Sequence, residues 1–288
     1  MISVVIAAHN EEAVLGPCLD ALLASAPAGA IDVTVVANGC TDATAAVAAR
    51  RPGVRVIDRP EPGKAAALNA GDAAAAGWPR MYLDADVTFI AGTVHDLADA
   101  LTQPAEDGAR PLAAVPRRQL DITGRPLLVR AFYAINARLP AYHRALFGRG
   151  AIALSETGRA RFAAFPDMIA DDLFLDSLFS LDERVQVDAV VSLVATPRRT
   201  RDLVRRLARV RAGNAAMRAA AGTGATPSGV RRAANASWLR DVVLPRPWLL
   251  PAAAGYVGII LAAEIAARRA RRGGVGWGHD LSSRVRSQ

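Results

Sequence analysis

Apolar and polar positions follow two alternating periods along the first third of the chain. Ser3–Ala7 is an almost unbroken apolar run that predicts a strand. Asn10 follows as a candidate N-cap with Glu11 and Glu12 in the first helical turn, and Leu15, Leu19, Leu22 and Leu23 recur at helical spacing. The unit then repeats: Val33–Val36 before a helix from about Asp42, Val54–Ile57 before a helix over Ala65–Ala76, and Met81–Leu83 running into Asp84. Strands apolar on both sides and separated by helices predict an α/β fold, a Rossmann-like and mostly parallel sheet with helices on both faces. Ligands of such sheets bind beyond the carboxyl ends of the strands, so the polar residues there are the first candidates for chemistry.

The second half reads differently. After Thr93 the pattern predicts a helix to Leu101, a loop through Gly108 and a short strand at Leu112–Val115. Pro197–Arg218 interleaves Arg201, Arg205, Arg206 and Arg209 with Leu203, Val204, Leu207 and Val210, the pattern of a basic amphipathic helix. Ala219–Ser228, with Gly222, Gly224 and Pro227, reads as a small-residue linker. Val242–Ala267 carries Trp248, Leu249, Leu250, Tyr256 and the run Gly258–Ala263, and is followed by Arg268, Arg269, Arg271 and Arg272. Its apolar part is marginal against the roughly 20 residues a bilayer span needs, and Pro251 and Glu264 interrupt it. Insertion or surface attachment, with arginines at anionic headgroups, is the expectation, and a helix packed on the rest of the protein is the alternative.

Composition narrows the partners. The 288 residues carry a net charge of +8, which suits nucleic acid, phospholipid or a substrate diphosphate. The basic helix lacks interleaved aromatics and any reading motif, so nucleic acid is not expected. Lys64 is the sole lysine among 35 basic residues, which marks its position for a specific contact. Cys18 and Cys40 have neither zinc-site spacing nor the density of a disulfide scaffold, as suits a reducing compartment. The apolar opening Met1–Ala8 has no basic leader and stops at His9 and Asn10, so it reads as a buried strand and not a signal peptide.

The sharpest chemical signal is Asp84-Ala85-Asp86 at the end of the fourth predicted strand. Residues two apart on a strand point to one side, so both carboxylates are expected to face one site. Hard oxygen ligands of this kind suit Mg2+ or Mn2+, shared with a diphosphate; a plain turn is the bland alternative. Gly148–Ala153 satisfies a GxGxxA dinucleotide spacing, but Tyr142–Ala145 before it makes a poor strand, so a nicotinamide or flavin site is not expected.

Taken in order, Ser3–Glu12, Val35–Thr44, Pro62–Gly71 and Asp84-Ala85-Asp86 resemble glycosyltransferase family 2, enzymes of the GT-A fold. The resemblance implies a nucleotide-sugar site formed by Ala7, Ala8, His9, Asn10, Glu12, Asn38, Asp42, Lys64, Asp84, Ala85 and Asp86, with Asp84 and Asp86 holding Mn2+ or Mg2+ on the donor diphosphate. Asn38 departs from the acid common at that place, which leaves the base open. Gly148-Arg149-Gly150, Phe165-Pro166-Asp167 and Ala170–Phe174 resemble the family's acceptor half. That likeness implies Asp172 as general base, Asp171 as its structural or acceptor-binding partner, and Gly148, Arg149 and Gly150 as acceptor-binding residues. The implied organisation is a catalytic domain over 1–196, with a donor half over 1–92 and an acceptor half over 93–196, and a membrane-associating region over 197–288. No QxxRW motif follows the acidic pair, so processive polymer synthesis is not expected. The implied function is inverting sugar transfer to an acceptor hydroxyl, lipid-linked or on a cell-envelope glycan, at the cytoplasmic face of the membrane. The rivals are a catalytically silent membrane-bound protein of the same fold and a sugar-phosphate nucleotidyltransferase; the second needs a glycine-rich basic loop near the amino terminus, and the sequence carries none.

Overall fold

The apolar runs that open the chain become the centre of a sheet. In the structure, a computed structural model describing residues 1–27, 29–104, 108–167, 170–222 and 236–273, strand β1 (Ile2–Ala8) pairs in parallel with β2 (Ile31–Asn38) and β4 (Arg80–Leu83). Strand β3 (Val54–Arg59) continues the parallel set on β2. Helices α1 (Leu15–Ala24), α2 (Thr44–Ala49) and α3 (Lys64–Ala74) connect these strands. They are followed by β5 (Thr88–Ala91), α4 (Val94–Thr102), β6 (Ala113–Asp121), α5 (Leu127–Asn136) and β7 (Ala151–Leu154). The chain goes on through α6 (Glu156–Arg159), α7 (Asp171–Ser177), β8 (Arg184–Ala195), α8 (Thr200–Gly222) and α9 (Leu250–Gly273). The eight strands lie in the order β3-β2-β1-β4-β7-β6-β8-β5, and β7 runs antiparallel to both β4 and β6.

Two compact units result, Met1–Leu120 with Leu146–Val194, and Asp121–Ala145 with Ala195–Gln288. In the first, β1 shows why its sequence is apolar throughout. Ile2, Val4, Ile6 and Ala8 face one side and share a core with Leu15, Leu19 and Leu97, while Val5 faces the other side, toward α3. Each fully buried aliphatic side chain of this kind contributes about 1.5–3 kcal/mol. Thr93 starts α4 with a reciprocal cap, its hydroxyl accepting from the Asp96 N–H while Asp96 accepts from the Thr93 N–H at 2.7 Å.

The second unit has its own core. Phe132 and Ile135 of α5, Leu203 of α8 and Tyr256 and Ile259 of α9 are buried together, with Val242, Val243 and Leu249 from the turns before α9. Pro247–Arg269 is long and apolar enough to cross a bilayer by length and composition, the one such helix among the described residues. A core helix passes the same test.

Local expectations fail in three places. Asn10 does not cap α1, which begins at Leu15; its backbone is left-handed at φ 54° and its side-chain oxygen accepts the Thr41 N–H at 2.8 Å. A tertiary bond has displaced the local cap. The Asp84-Ala85-Asp86 segment lies beyond β4 in a turn closed by Val87 N–H to Asp84 O at 3.2 Å, so strand alternation does not orient its carboxylates. Helix α8 continues through Gly222, so 219–222 are helical and not linker; the rest of the expected linker, with Gly224 and Pro227, lies outside the described residues.

Gly71 of α3 marks the closest approach of helix to sheet: a Cβ there would stand 2.4 Å from Val5 Cγ1 and 3.1 Å from Val36 Cγ2. Gly71→Ala is therefore expected to destabilise the protein by about 1–3 kcal/mol, read as a lowered urea midpoint with unchanged slope. A midpoint equal to wild type would show that the helix packs elsewhere.

Candidate active site

One lysine joins three segments that are far apart in sequence. Lys64 opens α3, and its Nζ lies 3.0 Å from Asp84 Oδ1 in the turn after β4 and 3.0 Å from Asp171 Oδ2 at the start of α7. Asp172 stands beside Asp171. Its Oδ2 accepts the Gly148 N–H at 3.0 Å and its Oδ1 the Leu173 N–H at 2.8 Å. Together with Ala7, Leu68, Tyr82, Leu146, Gly150, Ile152 and Leu175 these residues line one cleft. It lies at the carboxyl end of β4, where the sheet order predicts a ligand.

The loop Leu146–Gly150 carries the two halves of the cleft. The Leu146 N–H donates to Asp176 Oδ1 at 2.9 Å, and Asp176 is buried against Arg184, whose guanidinium also donates to the Asp176 carbonyl at 2.9 Å. At the other end the Asp84 N–H donates to Gly150 O at 2.8 Å. Gly150 has φ +74°, and a Cβ there would stand 2.2 Å from Val87 Cγ2. Only glycine combines that backbone with that approach.

Electrostatics follow from three carboxylates around one ammonium. Burial opposes the charge on Lys64, but Asp171, Asp84 and Asp172 outweigh it and hold the ammonium pKa well above its ordinary value. Burial pushes the Asp171 carboxyl up to about 6; Lys64 opposes that rise and Asp172 adds to it. Asp172 is also raised, by burial first, against the pull of Lys64 and of the Gly148 N–H. Behind the cleft, burial and then the charges of Asp86 and Asp84 push the Cys18 thiol up to about 12, so it stays protonated and unreactive.

Of the expected donor residues only Ala7, Lys64 and Asp84 line this cleft; the others lie at the ends of β1 and β2 or in the segments after β1, β2 and β4. Glu12 N–H donates to Asp42 Oδ2 at 3.1 Å, Ala43 N–H to Glu12 Oε2 at 2.9 Å, and Glu11 N–H to Thr44 Oγ1 at 2.7 Å. Burial would raise the Asp42 pKa, but bonds from Thr44 and Glu12 reverse the sign and lower it. Asn38 is buried; its amide donates to Ala8 O at 2.8 Å and its side-chain oxygen accepts the Gly63 N–H at 3.0 Å. The His9 ring nitrogen Nδ1 lies against Asn38 O. Ala8 and Ala85 are buried, and Asp86 is exposed beside Asp84. Arg149 is buried, with Nη1 donating to Pro116 O at 3.1 Å; burial and then the Arg118 charge lower its pKa to about 10.

Asp84 and Asp86 are the residues of the turn that could hold a divalent cation. Asp84 and Asp86 offer hard carboxylate oxygens, with the Asp84 side chain 46% exposed, and the Lys64 ammonium already stands against Asp84 Oδ1 where positive charge is favoured. Among the described residues no group of three or more His, Cys, Asp or Glu side chains surrounds a metal position. The remaining ligands would come from substrate oxygens and water, as Mg2+ and Mn2+ commonly arrange.

Sequence reasoning missed the roles of Asn69 and of the Asp176–Arg184 pair. Asn69 accepts the Phe165 N–H at 2.7 Å and donates to Phe165 O at 3.0 Å, which fixes the segment leading toward Asp171. Asn69 lies inside the recognised Pro62–Gly71 segment, so its signal was present; the Asp176–Arg184 pairing has no local signal.

The family model described as Glycosyl transferase family 2 matches residues 3–147. Solved structures of similar fold include a mannosyltransferase from Pyrobaculum calidifontis in complex with GDP-Man and Mn2+, at 23% identity and TM-score 0.59, covering 94% of this chain and 80% of that one. Glucosyl-3-phosphoglycerate synthase from Mycobacterium tuberculosis, in complex with Mn2+, UDP and glucosyl-3-phosphoglycerate, aligns at 24% identity and TM-score 0.54 over 77% of this chain and 80% of that one. S. aureus TarS 1-349 in complex with UDP aligns at 14% identity and TM-score 0.52 over 96% and 93%. No curated protein matches. The fold is the GT-A fold expected from the sequence.

A carboxyl whose pKa is raised on folding binds its proton more tightly in the native state, so stability falls as pH rises from the ordinary value through the raised one. Removing the Lys64 ammonium raises Asp171 further and widens that window. Lys64→Met is therefore expected to lose more stability at about pH 8 than at about pH 5, measured by urea unfolding. Equal losses at both would mean that the ammonium does not hold the carboxylates.

Proposed function

The chain belongs to glycosyl transferase family 2, and we propose that within it the protein moves a sugar, with inversion, from a nucleoside diphosphate donor to an acceptor hydroxyl. The observation that carries this reading is Lys64, whose one ammonium draws the Asp84 turn and the Asp171–Asp172 pair into one cleft. Donor phosphate chemistry and acceptor deprotonation need those two groups side by side.

In this reading Asp84 and Asp86 hold a divalent cation, which supplies positive charge to the departing diphosphate when bound. Asp172 takes the proton of the acceptor hydroxyl as that oxygen attacks the anomeric carbon. Two backbone N–H groups fix its carboxylate, and its raised pKa makes it a stronger base than an exposed aspartate. Asp171 is occupied by Lys64 and orients the pair. Asn38, Asp42 and Glu12 shape the nucleotide pocket through the loops they tie together, and the Leu146–Gly150 loop borders the acceptor side. The acceptor is a lipid-linked or cell-envelope glycan met at the cytoplasmic face of a membrane; the apolar helix Pro247–Arg269 supports this part of the reading.

Asp172→Asn is expected to lower transfer by about 10²-fold or more while donor affinity holds, measured as sugar transfer beside nucleotide titration. Turnover comparable to wild type would remove Asp172 as the base. Asp86→Ala is expected to weaken Mn2+ and donor binding together, and unchanged Mn2+ affinity would move the metal away from this turn.

A further inference from the structure

Helix α9 has two faces of the same apolar character and opposite surroundings. Ala253, Tyr256, Ile259, Ala263 and Ala267 are buried, and Tyr256 stacks on Phe132 of α5 with ring centroids 5.3 Å apart. On the same helix Glu264 receives Arg211 of α8 at 3.4 Å. The opposite face carries Leu250, Ala254, Gly258, Leu261, Ala262 and Ile265, all exposed. Leu250, Leu261 and Ile265 are 59%, 57% and 51% exposed, too much for side chains that a neighbouring helix covers. Spacings of three and four keep these residues on one line along the helix. No charge interrupts the line until Arg268 and Arg269, and Trp248, 71% exposed, stands just before its other end.

We infer that this face lies flat on an anionic bilayer surface, with the helix axis in the plane of the membrane and not across it. The inference rests on the membrane reading of the proposed function and is independent of the transfer chemistry. A helix crossing a bilayer meets lipid or apolar protein all round. Here α9 is covered along one side by α5 and α8, and α8 carries Arg201 and Arg205 with side chains 62% and 75% exposed. Both reach the single carboxylate of Asp202, at 3.7 and 3.6 Å, so the cluster keeps a net positive charge that hydrocarbon does not accept, and the packed unit cannot enter the bilayer with its helix. An in-plane helix needs only one apolar face, sunk to the level of the headgroups. Tryptophan at one end and a basic pair at the other are the side chains that an interface of anionic headgroups favours. Arg268 also pairs with Glu264 one turn back at 3.0 Å, which leaves Arg269 as the more available cation. A second copy of the chain seated on the stripe would draw nothing from the arginines at its end.

The test is co-sedimentation of the full chain with vesicles of phosphatidylcholine alone and with added phosphatidylglycerol. The wild type is expected to bind the anionic vesicles more tightly, and Leu261→Glu/Ile265→Glu to bind on the order of tenfold more weakly with an unchanged unfolding midpoint. Trp248→Ala, outside the helix body, provides a second variant with the same expected direction should the double variant fold poorly. Binding of both variants at wild-type strength overturns the assignment of this face and leaves the membrane reading standing. No binding of the wild type to either vesicle overturns both. Resistance of the membrane-bound wild type to alkaline carbonate extraction overturns the in-plane orientation. A dimer that the double variant dissolves, without vesicle binding, assigns the stripe to a second copy and overturns the inference.

Discussion

Three carboxylates drawn around one ammonium form the constraint on which the rest of the catalytic unit depends. Asp84, Asp171 and Asp172 repel one another and burial penalises the charges of Asp171 and Asp172, so the arrangement depends on the Lys64 ammonium against Asp84 and Asp171, with the Gly148 and Leu173 N–H groups holding Asp172. That requirement fixes where α3 may begin, where β4 must end and how α7 must approach. The hydrogen bonds of Leu146–Gly150 serve the same end: Gly148 holds Asp172, Gly150 holds the Asp84 turn, and Asp176 with Arg184 anchors the loop at its base. A sheet whose central strands are buried on both faces provides the rigid edge to which these loops attach.

The same economy appears in the loops after β1 and β2. Asn10, Glu12, Asn38 and Asp42 all sit at carboxyl ends of strands, where ligand contacts are usual, yet the bonds they make join one loop to another. Such ties hold the loops in one shape before any ligand arrives, which reduces the ordering cost of binding. The helical unit behaves differently. Its core of Phe132, Leu203 and Tyr256 uses one side of α9 and leaves the other apolar side exposed.

How much of this could be read in advance depended on how local each cause is. β1, β2 and β4 are legible because burial on both faces makes an apolar run, as in Val33–Val36, while β3 at the sheet edge is legible through the half-buried Val54, Val56 and Ile57. β8 has no clear signal: Arg184 and Asp188 break the run, and Arg184 tolerates burial through Asp176 and the carbonyls of Phe179 and Ser180, partners that no local pattern reveals. β7 is four residues long and was disguised by a glycine spacing that resembles a dinucleotide loop. Lys64 stood out by composition, as the sole lysine, but its partners came only with the fold. The local capping rule places Asn10 at a helix start because it takes no account of the Thr41 N–H that its side chain accepts from another loop.

The central claim is that the cleft around Lys64 is a donor site in which Asp84 and Asp86 share a divalent cation with a diphosphate. Calorimetric titration of the full chain with a panel of nucleoside diphosphates, each with and without Mn2+, tests it most directly. The account predicts that one nucleotide binds, that it binds only with the metal, and that the heat disappears in Asp84→Asn/Asp86→Asn. Nucleotide binding that ignores the metal, or no binding by any member of the panel, would contradict it.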